Sequence, residues 1–283
     1  MTKKPAISVI MTVYNGERYL VQAIDSIRQQ SLRDFEFVIV DDGSDDRTPE
    51  ILAKAQADPR IKVISKQRLG RARALNVAWT QASGKYVANL DADDMAEPNR
   101  LENQFTFLEQ HPEVGLLGTA SRILNEDDEN SENETIVRPP LTDLELRSAL
   151  VRCNPFRHSS VMIPRRVLEE VGGYNERFHV SIDYELWVRI ACRYRLANLP
   201  DVLVIKRVHR FTSFRRIPLW ERYKAHLMIR WYAWRCFSRP VADLRFILYP
   251  NRMLRDYVAI KFPWCAKLYR RLVNDLKRGK PIA

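Results

Sequence analysis

From Ile7 to Leu108 the chain alternates short apolar runs with stretches of helical periodicity, and two of the runs end on aspartates. Ile7–Thr12, Phe35–Val40, Ile61–Ile64 and Tyr86–Leu90 have the length and the β-branched and aromatic content of buried strands. Between them, Tyr19–Gln30 places Leu20, Ala23, Ile24 and Ile27 on one helical face, and Arg71–Gln81 predicts a further helix. Thr48-Pro49 opens another, with Thr as cap and Pro in the first turn, and Pro98 begins one that aligns Leu101, Phe105 and Leu108. Strand and helix taken in turn predict a parallel sheet covered on both faces, and such sheets bind ligands beyond the carboxyl ends of their strands. Asp41-Asp42 and Asp91-Ala92-Asp93-Asp94 stand at those ends.

The rest is less regular. The polar segment 125–135 (NEDDENSENET) reads as an exposed loop or hairpin tip. Leu141–Val151 reads as a helix capped by Thr142 with Glu145 three residues on. Ser159–Ile163 is a strand, Gly172-Gly173 a turn, Asp183–Tyr194 a helix and Val202–Val208 a strand. From Ile217 the chain is helical, basic and aromatic, broken at Pro240, Pro250 and Pro263.

Charge divides the chain unevenly. The 283 residues carry a formal net charge of +11, but the segment from Ile205 onward holds 20 Lys+Arg against 4 Asp+Glu, while the preceding body is mildly acidic. A basic tail suits an anionic partner, whether nucleic acid, a membrane surface or an acidic polymer. No apolar run approaches the roughly 18–20 residues that span a bilayer. The N-terminus lacks the apolar core and cleavage site of a signal peptide, so a cytoplasmic setting is expected. Cys153, Cys192, Cys236 and Cys265 lie far apart without a CxxC, which predicts reduced, packed thiols and neither a metal site nor a disulfide. No Walker-type phosphate loop is present.

Carboxylates two residues apart at a strand end, as in Asp91-Ala92-Asp93, can reach one hard divalent cation such as Mg²⁺ or Mn²⁺ with positions left for diphosphate oxygens. The same residues also suit a solvated acidic turn. Asp41-Asp42 can receive hydrogen bonds from a nucleoside or can start an Asx turn. The set Val9-Ile10-Met11-Thr12-Val13-Tyr14-Asn15, then VIVDDGSDD at 38–46, then GKYVANLDADD at 84–94 resembles the family 2 glycosyltransferases. Further matches come in order along the chain: Ala74-Leu75-Asn76, His158-Ser159-Ser160-Val161-Met162, Val171-Gly172-Gly173-Tyr174-Asn175-Glu176 and Asp183-Tyr184-Glu185-Leu186-Trp187-Val188-Arg189. The resemblance covers about residues 5–214.

The resemblance implies a GT-A fold, a Rossmann-like αβα sandwich with a mostly parallel central sheet, followed by a basic helical C-terminal tail. It divides the chain into a catalytic domain over 1–214 and a tail over 215–283. Within the former, a nucleotide-sugar half reaches to about 110 and an acceptor half completes the domain. Thr12 and Tyr14 match positions beside the nucleotide base, Asp42 the acidic residue that bonds the base, and Arg68 lies in the loop before Gly70. Asp91 matches the ribose-side carboxylate and Asp93 the direct metal ligand, with His209 a metal-side histidine. Asp94 is expected to support the loop or cap a helix, and His158 to lie on the acceptor side. Asp183 matches the general base of the inverting members, although Ile182 stands where many members carry an acidic residue. The Phe/Ser/Thr/Arg loop that follows His209 is expected to form a lid over the diphosphate.

The same resemblance implies a nucleoside-diphosphate-sugar donor, with UDP or dTDP as carrier, a glycan or lipid-linked acceptor, and transfer of one sugar per event in surface polysaccharide or glycolipid assembly. The QxxRW of processive synthases is absent. In the tail, Trp220, Tyr223, Leu227, Trp231 and Trp234 form one helical stripe flanked by Lys224, Arg230 and Arg235. Such a helix suits peripheral attachment to an anionic membrane surface, or packing on the body or on a second subunit in a homodimer. Nucleic acid is not expected, because the aromatics face together and no recognised module is present. Two rival functions are a nucleotidyltransferase, against which the absence of a Gly-rich basic loop speaks, and a non-catalytic nucleotide-sugar-binding protein, against which the four intact aspartates speak.

Overall fold

The computed structural model describes residues 4–126, 135–209 and 217–237. The expected lid loop after His209, the tail beyond 237 with its prolines, Cys265 and most of the acidic 125–135 segment lie outside the described residues.

The strands are β1 (Ile7–Val13), β2 (Phe35–Asp41), β3 (Ile61–Ser65), β4 (Tyr86–Asn89), β5 (Met95–Ala96), β6 (Val114–Asn125), β7 (Thr135–Val137), β8 (Met162–Pro164) and β9 (Arg195–Val208). The helices are α1 (Leu20–Arg28), α2 (Thr48–Ala55), α3 (Arg71–Thr80), α4 (Arg100–Gln110), α5 (Asp143–Leu150), α6 (Arg165–Val171), α7 (Ile182–Ala191) and α8 (Leu219–Cys236). One sheet runs β3-β2-β1-β4-β8-β6-β9-β5, with β7 paired to β6. β3, β2, β1 and β4 are parallel, as is β6 with β9, while β8 runs antiparallel to both its neighbours.

Alternation along the strands builds two cores. Ile10, Val38 and Val40 pack with α3 and α5–α8, whereas Val9, Met11, Phe37 and Ile39 pack with α1, α2 and α4. This is the αβα sandwich that the strand and helix pattern predicts. The Thr142–Glu145 capping box of α5 is present, and Gly172 and Gly173 turn with φ of +81° and +65°. Thr48 does not cap α2: its Oγ1 accepts the Gly16 N–H at 2.9 Å, and Asp46 Oδ1 accepts the Thr48 N–H at 2.9 Å. A tertiary contact thus displaces the local cap.

One further expectation changes at the C-terminal end. Cys192, just past α7, and Cys236, the last residue of α8, are joined as a disulfide rather than remaining reduced. Their separation of 44 residues hides a Cα–Cα distance of 5.8 Å that arises only when α8 docks on α7. The face α8 turns inward is not the aromatic stripe. Ile229 and Ala233 join the core of the body, with buried Arg230 beside them. Trp220, Met228, Trp231 and Tyr232 are exposed, and Tyr223, Leu227 and Trp234 lie half-buried between the two faces. Among the described residues, no helix is long and apolar enough to cross a membrane.

Candidate active site

β1 and β2 are adjacent and parallel, with Thr12 opposite Val40 and Val13 opposite Asp41. Both strands therefore release the chain at one edge, where Tyr14 and Asp42 follow. The two aspartates divide the roles that the sequence leaves open. Asp41 makes the turn, its Oδ1 accepting the Ser44 N–H at 3.0 Å. Asp42 instead holds the loop before α3: Oδ1 accepts the Leu69 N–H at 2.6 Å, and Oδ2 accepts the Gly70 N–H at 3.1 Å and Arg68 Nη1 at 3.0 Å. Gly43 is required between these loops, since its φ is +81° and a Cβ would lie 3.0 Å from the Arg68 nitrogen. The Arg68 guanidinium lies 3.4 Å from the Tyr14 ring centroid. Tyr14, Arg68 and Asp42 thus form one unit, with Tyr14 exposed and Asp42 buried.

The acidic cluster follows β4. Arg100, fully buried at the start of α4, supports it from below by donating to Asn89 O at 2.8 Å and Val161 O at 3.2 Å. Asp91 accepts from Arg71 Nη2 at 2.7 Å, and His158 Nδ1 lies at 2.7 Å from the same Oδ1. Burial works to raise the Asp91 carboxyl, but Arg71, His158 and Lys206 hold it well below the usual carboxylate range. Asp94 is fully buried and accepts from Ser159 Oγ, Lys206 Nζ at 3.1 Å and Arg207 N–H at 2.9 Å. Burial pushes its carboxyl up, against the pull of Lys206. Burial lowers the Lys206 ammonium, yet Asp94, Asp91 and Asp93 together keep it above its ordinary value. Asp94 therefore ties the loop to β9, the supporting role expected of it. Asp93 faces His209, whose Nε2 lies 3.0 Å from Oδ2.

His158 is buried and turned toward Asp91. With Nδ1 donating to that carboxylate, Nε2 is left to the Tyr174 hydroxyl at 3.0 Å and Asn89 Nδ2 at 3.1 Å. Its ring stacks on Trp187 at 28°. The structure thus sets His158 behind Asp91, because the turn His158–Ser160 runs directly beneath the end of β4.

Asp183 lies in the first turn of α7, where unpaired helix N–H groups favour a negative charge. Ser181 precedes the helix in a left-handed conformation, φ 54°. Asn154 Nδ2 donates to Asp183 Oδ2 at 2.8 Å. Arg71 connects this carboxylate with the cluster: Asp91 first, and Asp183 and Asp93 besides, hold its guanidinium above the ordinary arginine value. The Tyr14–Arg68–Asp42 unit, the acidic cluster and Asp183 are brought to one edge of the sheet. A cavity of about 710 Å³ between α1 and α2, lined by Arg18, Arg28, Arg47 and Lys54, contains none of these residues.

This order of motifs matches the family model of glycosyl transferase family 2 over residues 8–172. The chain belongs to glycosyltransferase family 2. It is 34% identical over 202 residues to the amylovoran biosynthesis glycosyltransferase AmsE of Erwinia amylovora, covering 70% of this chain and 74% of that one. Among solved structures, S. aureus TarS residues 1–349 in complex with UDP-GlcNAc superpose with a TM-score of 0.70 at 20% identity, covering 91% of this chain and 73% of that one. The mannosyltransferase PcManGT of Pyrobaculum calidifontis, in complex with GDP-Man and Mn²⁺, has a TM-score of 0.62 at 21% identity, covering 97% and 81%. The fold of this glycosyltransferase is the GT-A fold.

The acidic cluster fits a hard divalent cation. One oxygen from each of Asp91, Asp93 and Asp94 lies within 4.8 Å of the others. Asp94 and Asp91 are largely occupied by Lys206, Arg207, Arg71 and His158, which leaves Asp93 and its neighbour His209 as the residues placed to hold an ion. Lys206, Asn154 and Arg100 are contributors that sequence reasoning missed. A lone lysine in a strand and an asparagine before a proline carry no local signal, since their partners are 112 and 29 residues away.

Proposed function

We propose that this glycosyltransferase transfers one sugar from a nucleoside-diphosphate sugar, with UDP or dTDP as carrier, to an acceptor hydroxyl with inversion at the anomeric carbon. The observation that carries the reading is Arg71, which donates to Asp91 Oδ1 at 2.7 Å and lies within electrostatic reach of Asp93 and Asp183, and so relates the donor-side carboxylates to the separate one on α7. The UDP-GlcNAc bound by TarS supports the uridine carrier, and the name of AmsE supports polysaccharide assembly.

In this mechanism Tyr14 and Arg68, already stacked on one another, together present the surface on which the base rests, with Asp42 fixing the loop that carries Arg68. Thr12 lines the strand end beside them, and Asp91 bonds the ribose. Asp93 and His209 would hold Mg²⁺ or Mn²⁺, which when bound neutralises charge on the leaving diphosphate. Asp183 accepts the proton of the acceptor hydroxyl as its oxygen attacks the anomeric carbon from the side opposite the diphosphate. Arg71 holds the carboxylates in place and contributes positive charge where the diphosphate departs. His158 acts through Asp91 by holding its orientation. A lipid-linked acceptor is consistent with α8, which exposes Trp220, Met228 and Trp231 beside Lys224 and Arg235.

The test is a transfer assay on a panel of nucleotide sugars, paired with donor-binding titrations with and without Mn²⁺. Asp183→Asn is expected to abolish transfer and keep donor affinity; Asp93→Ala is expected to lose the metal-dependent part of that affinity. Full transfer by Asp183→Asn would remove the base assignment.

A further inference from the structure

The segment that carries Asn154 and the helix that carries Asp183 are joined at more than one point. Asn154 Nδ2 donates to Asp183 Oδ2 at 2.8 Å, while its Oδ1 accepts the Phe156 N–H at 3.1 Å. The second bond orients the amide, because only its oxygen can accept from a backbone N–H. α8 touches the segments that lead into both residues of the pair. Arg230 Nε donates to Val151 O at 3.0 Å, shortly before Asn154, and His226 Nε2 lies 2.8 Å from Ser181 Oγ, shortly before Asp183. Tyr184, next to Asp183, donates to Leu150 O and sits edge-on to the His226 ring with centroids 5.5 Å apart.

We infer that Asn154 is a positioning residue that commits one oxygen of Asp183 and leaves the other to the acceptor hydroxyl, and that α8 keeps this pair in register. The inference rests on Asp183 acting as the base. Facing Asp183 are Arg71 from α3, Tyr174 from the turn after α6 and His226 from α8. Asn154 adds a neutral donor to that set. It supports the ionised carboxylate without placing a fixed cation where the proton must arrive. The contacts of α8 with Val151 and Ser181 add to the Tyr184–Leu150 bond in setting the spacing of the two segments.

The substitution Asn154→Asp separates positioning from loop structure. An aspartate still accepts the Phe156 N–H and nearly keeps the volume, but it replaces the donor with a second carboxylate. Two carboxylates in contact share a proton, so the acid limb of the kcat profile should move up by about one pH unit or more. Activity should recover at higher pH, with donor KM and melting temperature close to wild type. Asn154→Ala should lower kcat about tenfold at every pH without recovery. An unmoved limb in Asn154→Asp overturns the inference, as does an equal, pH-independent loss in both variants, which would mean loop packing alone.

If the Asn154 variants do not fold, the His226 pair decides. His226→Gln can still bond Ser181 and His226→Phe cannot, so kcat should be about three- to tenfold lower in the latter at unchanged donor KM. Equal kcat in the two overturns the role of α8. Transfer by Asp183→Asn would defeat the base reading itself, whereas an inactive Asp183→Asn with a wild-type Asn154→Asp profile defeats only this inference.

Discussion

Replacing Asp42 by Asn keeps the volume of a side chain that is only 3% exposed but removes its capacity to bond the 68–70 loop. The carboxylate accepts the Leu69 N–H on one oxygen, and the Gly70 N–H and Arg68 on the other. An amide has one acceptor oxygen, so whichever way the substituted side chain turned, its NH₂ would confront a backbone N–H. Hydrogen bonds to charged groups contribute about 1.5–3 kcal/mol each. Arg68 is 56% exposed and can turn to water, so its pair adds little. One lost backbone bond and the weakening of the other suggest a loss of about 2–3 kcal/mol in the ligand-free protein. For a chain of this size that corresponds to a melting temperature lower by about 3–5 °C. Displacing the loop also lifts Arg68 from Tyr14, so UDP affinity should fall at least about tenfold, near 1.4 kcal/mol. The assays are scanning calorimetry without ligand and isothermal titration with UDP. Arg68→Ala is the control, with weakened UDP binding and a nearly unchanged melt. A ligand-free Asp42→Asn melt within about 1 °C of wild type would refute the reasoning, because Asp42 would then serve the ligand alone.

Other outcomes test separate parts of the molecule. Arg60 holds the Asp58 carboxyl down at about 2 through paired hydrogen bonds, so Asp58 contributes stability that is present above its ordinary value near 4 and is lost as the pH falls toward 2. Asp58→Asn should therefore be less stable than wild type at neutral pH, and the gap should close between about pH 4 and 2; a gap constant with pH in denaturant titrations would contradict the pairing. The exposed face of α8 predicts cosedimentation with anionic phosphatidylglycerol vesicles and little with neutral phosphatidylcholine. Trp220→Ala/Trp231→Ala should weaken it, and equal pelleting with both vesicle types would argue against a membrane role.

Local pattern revealed most of the first half of the fold. Strand runs with Val and Ile at successive positions need cover on both faces, and helices between them supply it, so β1 to β4 and their helices could be located within a residue or two. The acidic cluster was legible because its position at a strand end has a physical meaning in a parallel sheet. β5 and β7 were not legible. They are two and three residues long and exist only because β9 and β6 offer them partners. The helical periodicity of α8 was legible in the sequence, but which of its faces turns inward was not. Aromatic residues mark an apolar stripe in sequence, whereas the inward face is chosen by what the body offers: the Val151 carbonyl for Arg230 and the Ser181 hydroxyl for His226.

By itself the sequence determined the order of elements, the placing of aspartates at the carboxyl ends of β2 and β4, and the family. All three are properties of neighbours along the chain or of motif order. Tertiary structure alone decided how those carboxylates are used. Asp41 makes a turn while Asp42 binds a loop, Asp94 is tied to Lys206 while Asp93 faces His209, and His158 lies behind Asp91. It also joined Cys192 to Cys236 and set Asn154 against Asp183. A carboxylate's role depends on which donors and cations approach within about 3 Å of it, and here most of those come from segments distant in the chain, a proximity that no local pattern encodes.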